Sequence, residues 1–240
     1  MFFTRRSFRL APDEVAVVAL LAVLYASTAI LLLESYKCIP SGIATTIHFL
    51  YPLAVTLTMA WVFKERISST IYIAVALSLV GVALLAWGNH TEGNFRRGVS
   101  FALLTVVTYA AYIVGVMRSR ASRVDSIVLT FYVLAFGALL FLLYAMATSG
   151  IEAVHSAASW RDLIMLALVC TVLSDYTLIL AIKRIGSTRT SILSSMEPLT
   201  AVVVGVVYFG ERIDTTSVVG LLLVICAVVV VIVQSAPREE

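Results

Sequence analysis

Charged residues in this chain fall in clusters, and long apolar runs lie between them. Residues 15–33, 39–63, 67–91, 98–117, 126–151, 163–182, 190–210 and 215–237 form eight such runs of 19 to 26 residues, six of them with no Asp, Glu, Lys or Arg. A helix needs about 20 residues to cross a hydrocarbon layer of about 30 Å. Only helices and closed barrels satisfy the backbone in lipid. Barrel strands would alternate apolar and polar positions over about 10 residues, and a run such as Leu221 to Val233 does not alternate. The pattern therefore predicts an all-α polytopic membrane protein with eight transmembrane helices, antiparallel between neighbours because the connections are short. Between Ser149 and Arg161, Ile151, Val154, Ala157 and Trp160 recur at every third position, which predicts a short helix lying on the membrane surface. Trp61, Trp87 and Trp160 sit at the ends of apolar runs, as interfacial anchors do.

Composition agrees with this reading. Of 240 residues, 61% are apolar and 13% charged, and the mean hydropathy is +1.02. A soluble domain carries about a quarter charged residues, so a soluble sphere, a disordered chain and a disulfide scaffold are all excluded. Cys38, Cys170 and Cys226 are an odd number without metal-ligand spacing, and they imply neither metal nor cofactor. The net charge of +3 points to no nucleic-acid partner, but its distribution carries information. With eight spans both termini share one side. That side holds 12 basic residues, Arg5, Arg6, Arg9, Lys64, Arg66, Arg118, Arg120, Arg123, Lys183, Arg184, Arg189 and Arg238. The other holds 5, namely Lys37, Arg96, Arg97, Arg161 and Arg212. The positive-inside rule then puts both termini in the cytoplasm. Arg5 and Arg6 read as anchors of that rule rather than as a twin-arginine export signal, since no soluble domain follows them.

The chain also contains a repeat. Shifted by 146 positions, Lys37 meets Lys183, Ser41 meets Ser187, Pro52-Leu53 meets Pro198-Leu199, Phe63-x-Glu65-Arg66-Ile67 meets Phe209-x-Glu211-Arg212-Ile213, and Thr70 meets Thr216. Helices 1–3 thus correspond to helices 6–8. The shift spans five helices, an odd number, so the copies are inverted in the bilayer, as in many secondary transporters. The domains are residues 1–91, a first repeat of three helices, and residues 92–240, a second repeat of five. The partners of helices 4 and 5 would lie before Met1, so the pattern matches a five-plus-five repeat lacking its first two helices.

The paired hairpins Pro52 to Ile67 and Pro198 to Ile213, with Met196-Glu197-Pro198-Leu199 and Phe209-Gly210-Glu211, resemble the EamA-type transporters of the drug/metabolite transporter superfamily. The resemblance covers essentially the whole chain. It implies ten helices, cytoplasmic termini and a central substrate pathway between the repeats, in an integral protein of a bacterial cytoplasmic (inner) membrane. It also implies a cargo of amino acids, other small metabolites or drugs.

Polar residues within the runs are the candidates for chemistry. Asp175 lies mid-run in 163–182, where a carboxylate costs roughly 2.5–3.5 kcal/mol to insert. It either contacts substrate or protons or makes a packing hydrogen bond, for which Ser174 and Tyr176 are the nearby partners. Glu197 lies eight residues into its run and precedes Pro198, where a structural role in a kinked helix competes with a functional one. Proline frees the carbonyl four residues earlier, so Pro52 loosens His48 and Pro198 loosens Ser194. Aligned positions then hold His48 with Ser194 and Tyr51 with Glu197, polar groups one turn apart on one helical face. Ser191 and Ser195 extend the second copy. Ser side chains that merely bond back within their helix are the competing reading. Tyr109 and Tyr112, at i and i+3, and more weakly Tyr25, either face the pathway or pack. Glu65-Arg66 and Glu211-Arg212 sit at hairpin tips, where they specify the turn rather than the cargo.

No metalloprotease, nucleophile-elbow or P-loop motif is present in the sequence, which argues against an enzyme. The expected function is secondary transport or export of a small organic metabolite, amino acid-like or amphipathic, by alternating access. The alternative is a transport-incompetent truncated remnant or assembly partner. The expected partners are a small-molecule substrate and lipid, together with a second copy or another subunit that fills the place of the two missing helices.

Overall fold

The computed structural model describes residues 8, 10–39, 41–65, 70, 73–74, 76–77, 80–81, 84, 94–148, 150, 153–194 and 215–235. Among them every regular element is helical. We label these α1 (Pro12–Tyr36), α2 (Ser41–His48), α3 (Tyr51–Trp61), α4 (Phe95–Arg118), α5 (Ser126–Ala147), α6 (Ala157–Ile185), α7 (Ser187–Ser194) and α8 (Thr215–Ser235).

Five stretches among the described residues are long and apolar enough to cross a membrane: α1, Ile43–Trp61, α4, α5 and α6. The fold is thus that of an all-helical polytopic membrane protein. The runs at 67–91 and 190–210 fall largely outside the described residues.

Several boundaries have a local cause. Pro12 stands at the first turn of α1, where a missing N–H costs nothing, and Asp13 and Glu14 complement the N-terminal dipole. The Ala11 amide is capped by the Glu14 carboxylate at 2.8 Å. Phe49 and Leu50 interrupt the second span just before Pro52, as the missing proline donor requires. After α3, Lys64 adopts φ +57° and turns the chain. Asp125 caps α5 by accepting from the Ile127 amide at 2.9 Å. Gly186, with φ +90°, ends α6 in a conformation that only glycine adopts cheaply, and α7 follows at once.

Among the described residues the expected separate surface helix near Ser149–Arg161 is not present. Residues 153–156 are not helical, and Ser156 accepts from the Ala158 amide at 3.2 Å to cap α6. Ala157 and Trp160 belong to the first turn of the long span. The three-residue spacing there marked a helix start, not a separate element.

Helix α4 is the hub, contacting α1, α2, α3 and α6, while α1 fits between α4 and α5. Two glycines allow close approach. A Cβ at Gly98 would lie 2.7 Å from Ile39 Cγ2 and 2.8 Å from Cys38 Cβ, and one at Gly115 would lie 2.7 Å from Leu21 Cδ2. The approach at Gly98 is fastened by Ser35, whose hydroxyl donates to the Gly98 carbonyl at 2.9 Å.

The two ends of the bundle carry most of the charged contacts. At one end Arg120 pairs with Asp13 at 2.7 Å, Arg118 pairs with Glu65, and Lys183 donates to the Val124 carbonyl. At the other end Glu34 accepts from Tyr144 and from Lys37. Asp13 and Glu34 are separated by about 30 Å of helix at 1.5 Å per residue, so the contacts mark opposite ends.

Candidate functional site

Five helices place polar or aromatic side chains together near the middle of the bundle. Tyr25 comes from α1, His48 from α2, Tyr51 from α3, Thr105, Tyr109 and Tyr112 from α4, and Asp175 from α6. All lie well inside their apolar runs. Tyr51 and Tyr112 are among the largest fully buried side chains, and Asp175 is 3% exposed.

The cluster is held by α4. Thr105, Thr108, Tyr109 and Tyr112 recur at i, i+3, i+4 and i+7, one stripe on a helix of 3.6 residues per turn. The Thr105 hydroxyl lies 2.8 Å from His48 Nδ1 and bonds back to the Ala102 carbonyl at 2.6 Å. Thr108 meets Thr28 of α1 at 2.7 Å. Tyr112 donates its hydroxyl to Asp175 Oδ1 at 2.9 Å. The partner of the buried acid is thus 63 positions away, not the adjacent Ser174 or Tyr176. Side chains one position apart on a helix point about 100° apart and cannot serve one another across a packed face.

Aromatic contacts complete the arrangement. The His48 ring lies 5.3 Å from Tyr51 and 5.2 Å from Tyr109. Tyr51 meets Tyr109 edge-on at 4.7 Å. Tyr109 stacks on Tyr112 at 6.1 Å, and Tyr25 lies 5.5 Å from Tyr112. These spacings suit mutually favourable ring pairs.

Asp175 lies two residues past the end of a π-helical stretch, Leu166–Leu173. There Thr171 Oγ1 reaches the Leu166 carbonyl, five residues back, at 3.2 Å. Such wider turns are rare and tend to occur at functional sites, because they re-aim the residues that follow. The second carboxylate oxygen, Asp175 Oδ2, is buried with no hydrogen-bond partner among the described residues.

Of the residues singled out in the sequence, the structure brings His48, Tyr51, Tyr109, Tyr112 and Asp175 together, with Tyr25 beside them. Ser194 is half-buried and donates to the Thr190 carbonyl at 3.0 Å, the back-bonded arrangement. The Ser191 side chain, and Arg66, Ser195, Glu197, Pro198, Glu211 and Arg212, lie outside the described residues. Pro52 is buried at the start of α3. Glu65 pairs with Arg118 at the end of α4, and Phe63 lies 4.8 Å from the Arg118 guanidinium carbon. Thr105 was not foreseen, although the stripe it forms with Tyr109 and Tyr112 was a readable signal.

Comparison with known proteins agrees with this architecture. The chain is similar to the threonine/homoserine exporter RhtA of Escherichia coli, at 28% identity over 198 residues. That match covers 80% of this chain and 63% of the relative. A protein of Archaeoglobus fulgidus described as an uncharacterized transporter is 27% identical over 190 residues, covering 79% of this chain and 66% of the relative. The chain spans about 63% of the length of the exporters it matches. A solved crystal structure superposes with a TM-score of 0.71 at 19% identity, covering 94% of this chain and 77% of the other, which shows a shared fold. The model of the EamA-like transporter family matches residues 1–87 and 96–233, nearly the whole sequence, and the chain belongs to that family.

Proposed function

We propose that the chain acts as a secondary transporter that exports a small, amino acid-like solute from the cytoplasm by alternating access. The observation that carries this reading is the buried cluster around Tyr112 and Asp175. It lies at mid-depth, where an unrewarded carboxylate is expensive. It draws on α1–α3, assigned to the first repeat, and on α4 and α6, assigned to the second. A polar site at the junction of two inverted repeats is where such transporters bind their cargo. The named activity of the exporter relatives supports small hydroxylated amino acids as first candidates.

In this reading His48, Tyr51, Tyr109, Tyr112 and Asp175 line the pathway, and Ser191, Ser194 and Glu197 extend it on the second repeat. Pro52, Glu65 and Arg66, with Pro198, Glu211 and Arg212, shape the paired hairpins about which the halves rock. The excess of Lys and Arg on the side of Arg120 and Lys183 puts that side and both termini in the cytoplasm. The reading assigns the chain no catalytic step.

The test is flux. Everted membrane vesicles containing the chain should accumulate labelled L-threonine or L-homoserine without ATP, above vesicles lacking it. Vesicles that accumulate neither these nor any other small amino acid would refute the reading.

A further inference from the structure

The site has a feature that its internal contacts do not explain. Asp175 Oδ1 accepts from Tyr112, but Oδ2 is buried and has no hydrogen-bond partner among the described residues. An ionised carboxylate only accepts, so Oδ2 wants a donor. A protonated one would leave its O–H wanting an acceptor. Among the described residues either form leaves a buried polar group unsatisfied, a state proteins seldom tolerate without a reason. Among the described residues no Lys or Arg pairs with Asp175. Arg118 and Arg120 are paired with Glu65 and Asp13, and Lys183, on the same helix, donates to the Val124 carbonyl.

The surroundings select the missing donor. Tyr112 holds one carboxylate oxygen, and its ring is flanked by Tyr25 at 5.5 Å and Tyr109 at 6.1 Å. Tyrosine faces carry negative potential, which attracts organic cations and repels anions. A bare metal ion would ask for several oxygen ligands, more than this aromatic site presents. A protonated amine is satisfied by one charge-assisted bond to a carboxylate and by contact with ring faces.

We infer that Asp175, with the rings of Tyr25, Tyr109 and Tyr112, forms a subsite for the ammonium group of a primary amine. The inference rests on the transport reading only in taking that amine to be part of the cargo. The carboxylate supplies the acceptor, Tyr112 fixes its orientation, and the rings exclude anionic head groups. The rest of the solute extends toward His48 and Tyr51.

The experiment compares two probes that differ in one group. L-Threoninol carries an ammonium, and butane-1,2,3-triol has a hydroxyl in its place. Each is titrated calorimetrically against the full 240-residue chain in lipid nanodiscs. The chain should bind threoninol at least tenfold more tightly than the triol. Asp175→Asn should reduce that preference to about one, and Tyr112→Phe, which keeps both carboxylate and ring, should retain it. Should Asp175→Asn fail to fold, Asp175→Glu should retain the preference and Tyr25→Leu should lower it several-fold. Equal affinity for the two probes, including no binding of either, would overturn the subsite, as would a tenfold preference persisting in Asp175→Asn. Flux in vesicles separates the two readings. A chain that transports but does not discriminate the probes loses the subsite and keeps the transport function. A chain that prefers threoninol without flux keeps the subsite and loses the transport function.

Discussion

The middle of the bundle and its ends use polar groups in opposite ways. At mid-depth a few polar side chains, Tyr112 with Asp175 and Thr105 with His48, meet inside a shell of buried Ile, Val and Tyr. At the ends the side chains of Asp13 and Arg120 are 53% and 60% exposed and still pair. An ion pair in water competes with solvent and salt and contributes little. A polar contact in hydrocarbon has no such competitor, and the cost of breaking it is that of a stranded buried group. Function should therefore concentrate in the middle, while the ends set orientation and tolerate change.

Substitutions can break or sharpen this contrast. The largest effect is expected at Asp175. Asp175→Asn should lower vesicle flux by about tenfold or more, equivalent to at least about 1.4 kcal/mol, whereas Arg120→Gln should leave flux nearly unchanged. Comparable losses in both variants would erase the distinction between middle and ends. Next comes packing at the Glu34 end, where fastening relies on the Gly98 approach rather than on charge. Gly98→Val must displace Ile39 and Cys38, and overpacking of this kind costs about 1–3 kcal/mol. Thermal unfolding in detergent should show it, while Lys37→Gln at the same end should melt like the parent. A Gly98→Val chain as stable as the parent would mean that the helices are not in close contact there.

Smaller effects sharpen the contrast by coupling. A double-mutant cycle on Tyr112→Phe and Asp175→Asn should give a coupling of roughly 0.6–1.7 kcal/mol, from the average to the maximum seen for hydrogen bonds between membrane helices. It should not depend on salt. The corresponding cycle on Asp13→Asn and Arg120→Gln should give about 0.2–1 kcal/mol at low salt and fade as salt rises. Salt-dependent coupling at Tyr112 and Asp175 would show that water reaches the pair. The last test leaves the energetics alone and asks which end faces which compartment. In a chain lacking Cys38, Cys170 and Cys226, single cysteines at positions 120 and 183 should be protected from an impermeant reagent in intact cells, and those at 97 and 161 should react. Labelling of position 120 from outside would reverse the assigned orientation.

Much of this was legible in the chain before folding. Asp175 stood out as a lone acid in a long apolar run, His48 as a histidine well inside a span, and Tyr109 with Tyr112 as a one-face pair. Pro52 announced the break now seen at Phe49 and Leu50. The partners were not legible. Ser174 and Tyr176 were the natural guesses for Asp175, because a sequence shows only near neighbours, and Tyr112 lies 63 positions away. Thr105 attracted no notice because a threonine in an apolar helix usually bonds back to its own turn, and Thr105 does that as well as meeting His48. The hairpin expected at Glu65 continues into residues outside the described ones, and the pairing of Glu65 with Arg118 joins residues 53 positions apart. The stretch from Ser149 to Arg161 was misread because periodicity does not reveal whether a helix is separate or the first turn of a longer one.

The sequence by itself determined that the chain crosses a membrane as helices and where the charges that end those helices lie. The reason is local. Each backbone amide in hydrocarbon must bond within its own segment, so the length of an apolar run is enough to define a span. Only the tertiary structure decided that α4 is the hub and that its stripe meets Asp175 rather than lipid. The rotation of one helix against another depends on close approaches such as those at Gly98 and Gly115, and the π-helical stretch Leu166–Leu173 precedes Asp175. Those contacts join residues far apart in the chain, and no run of neighbouring residues encodes them.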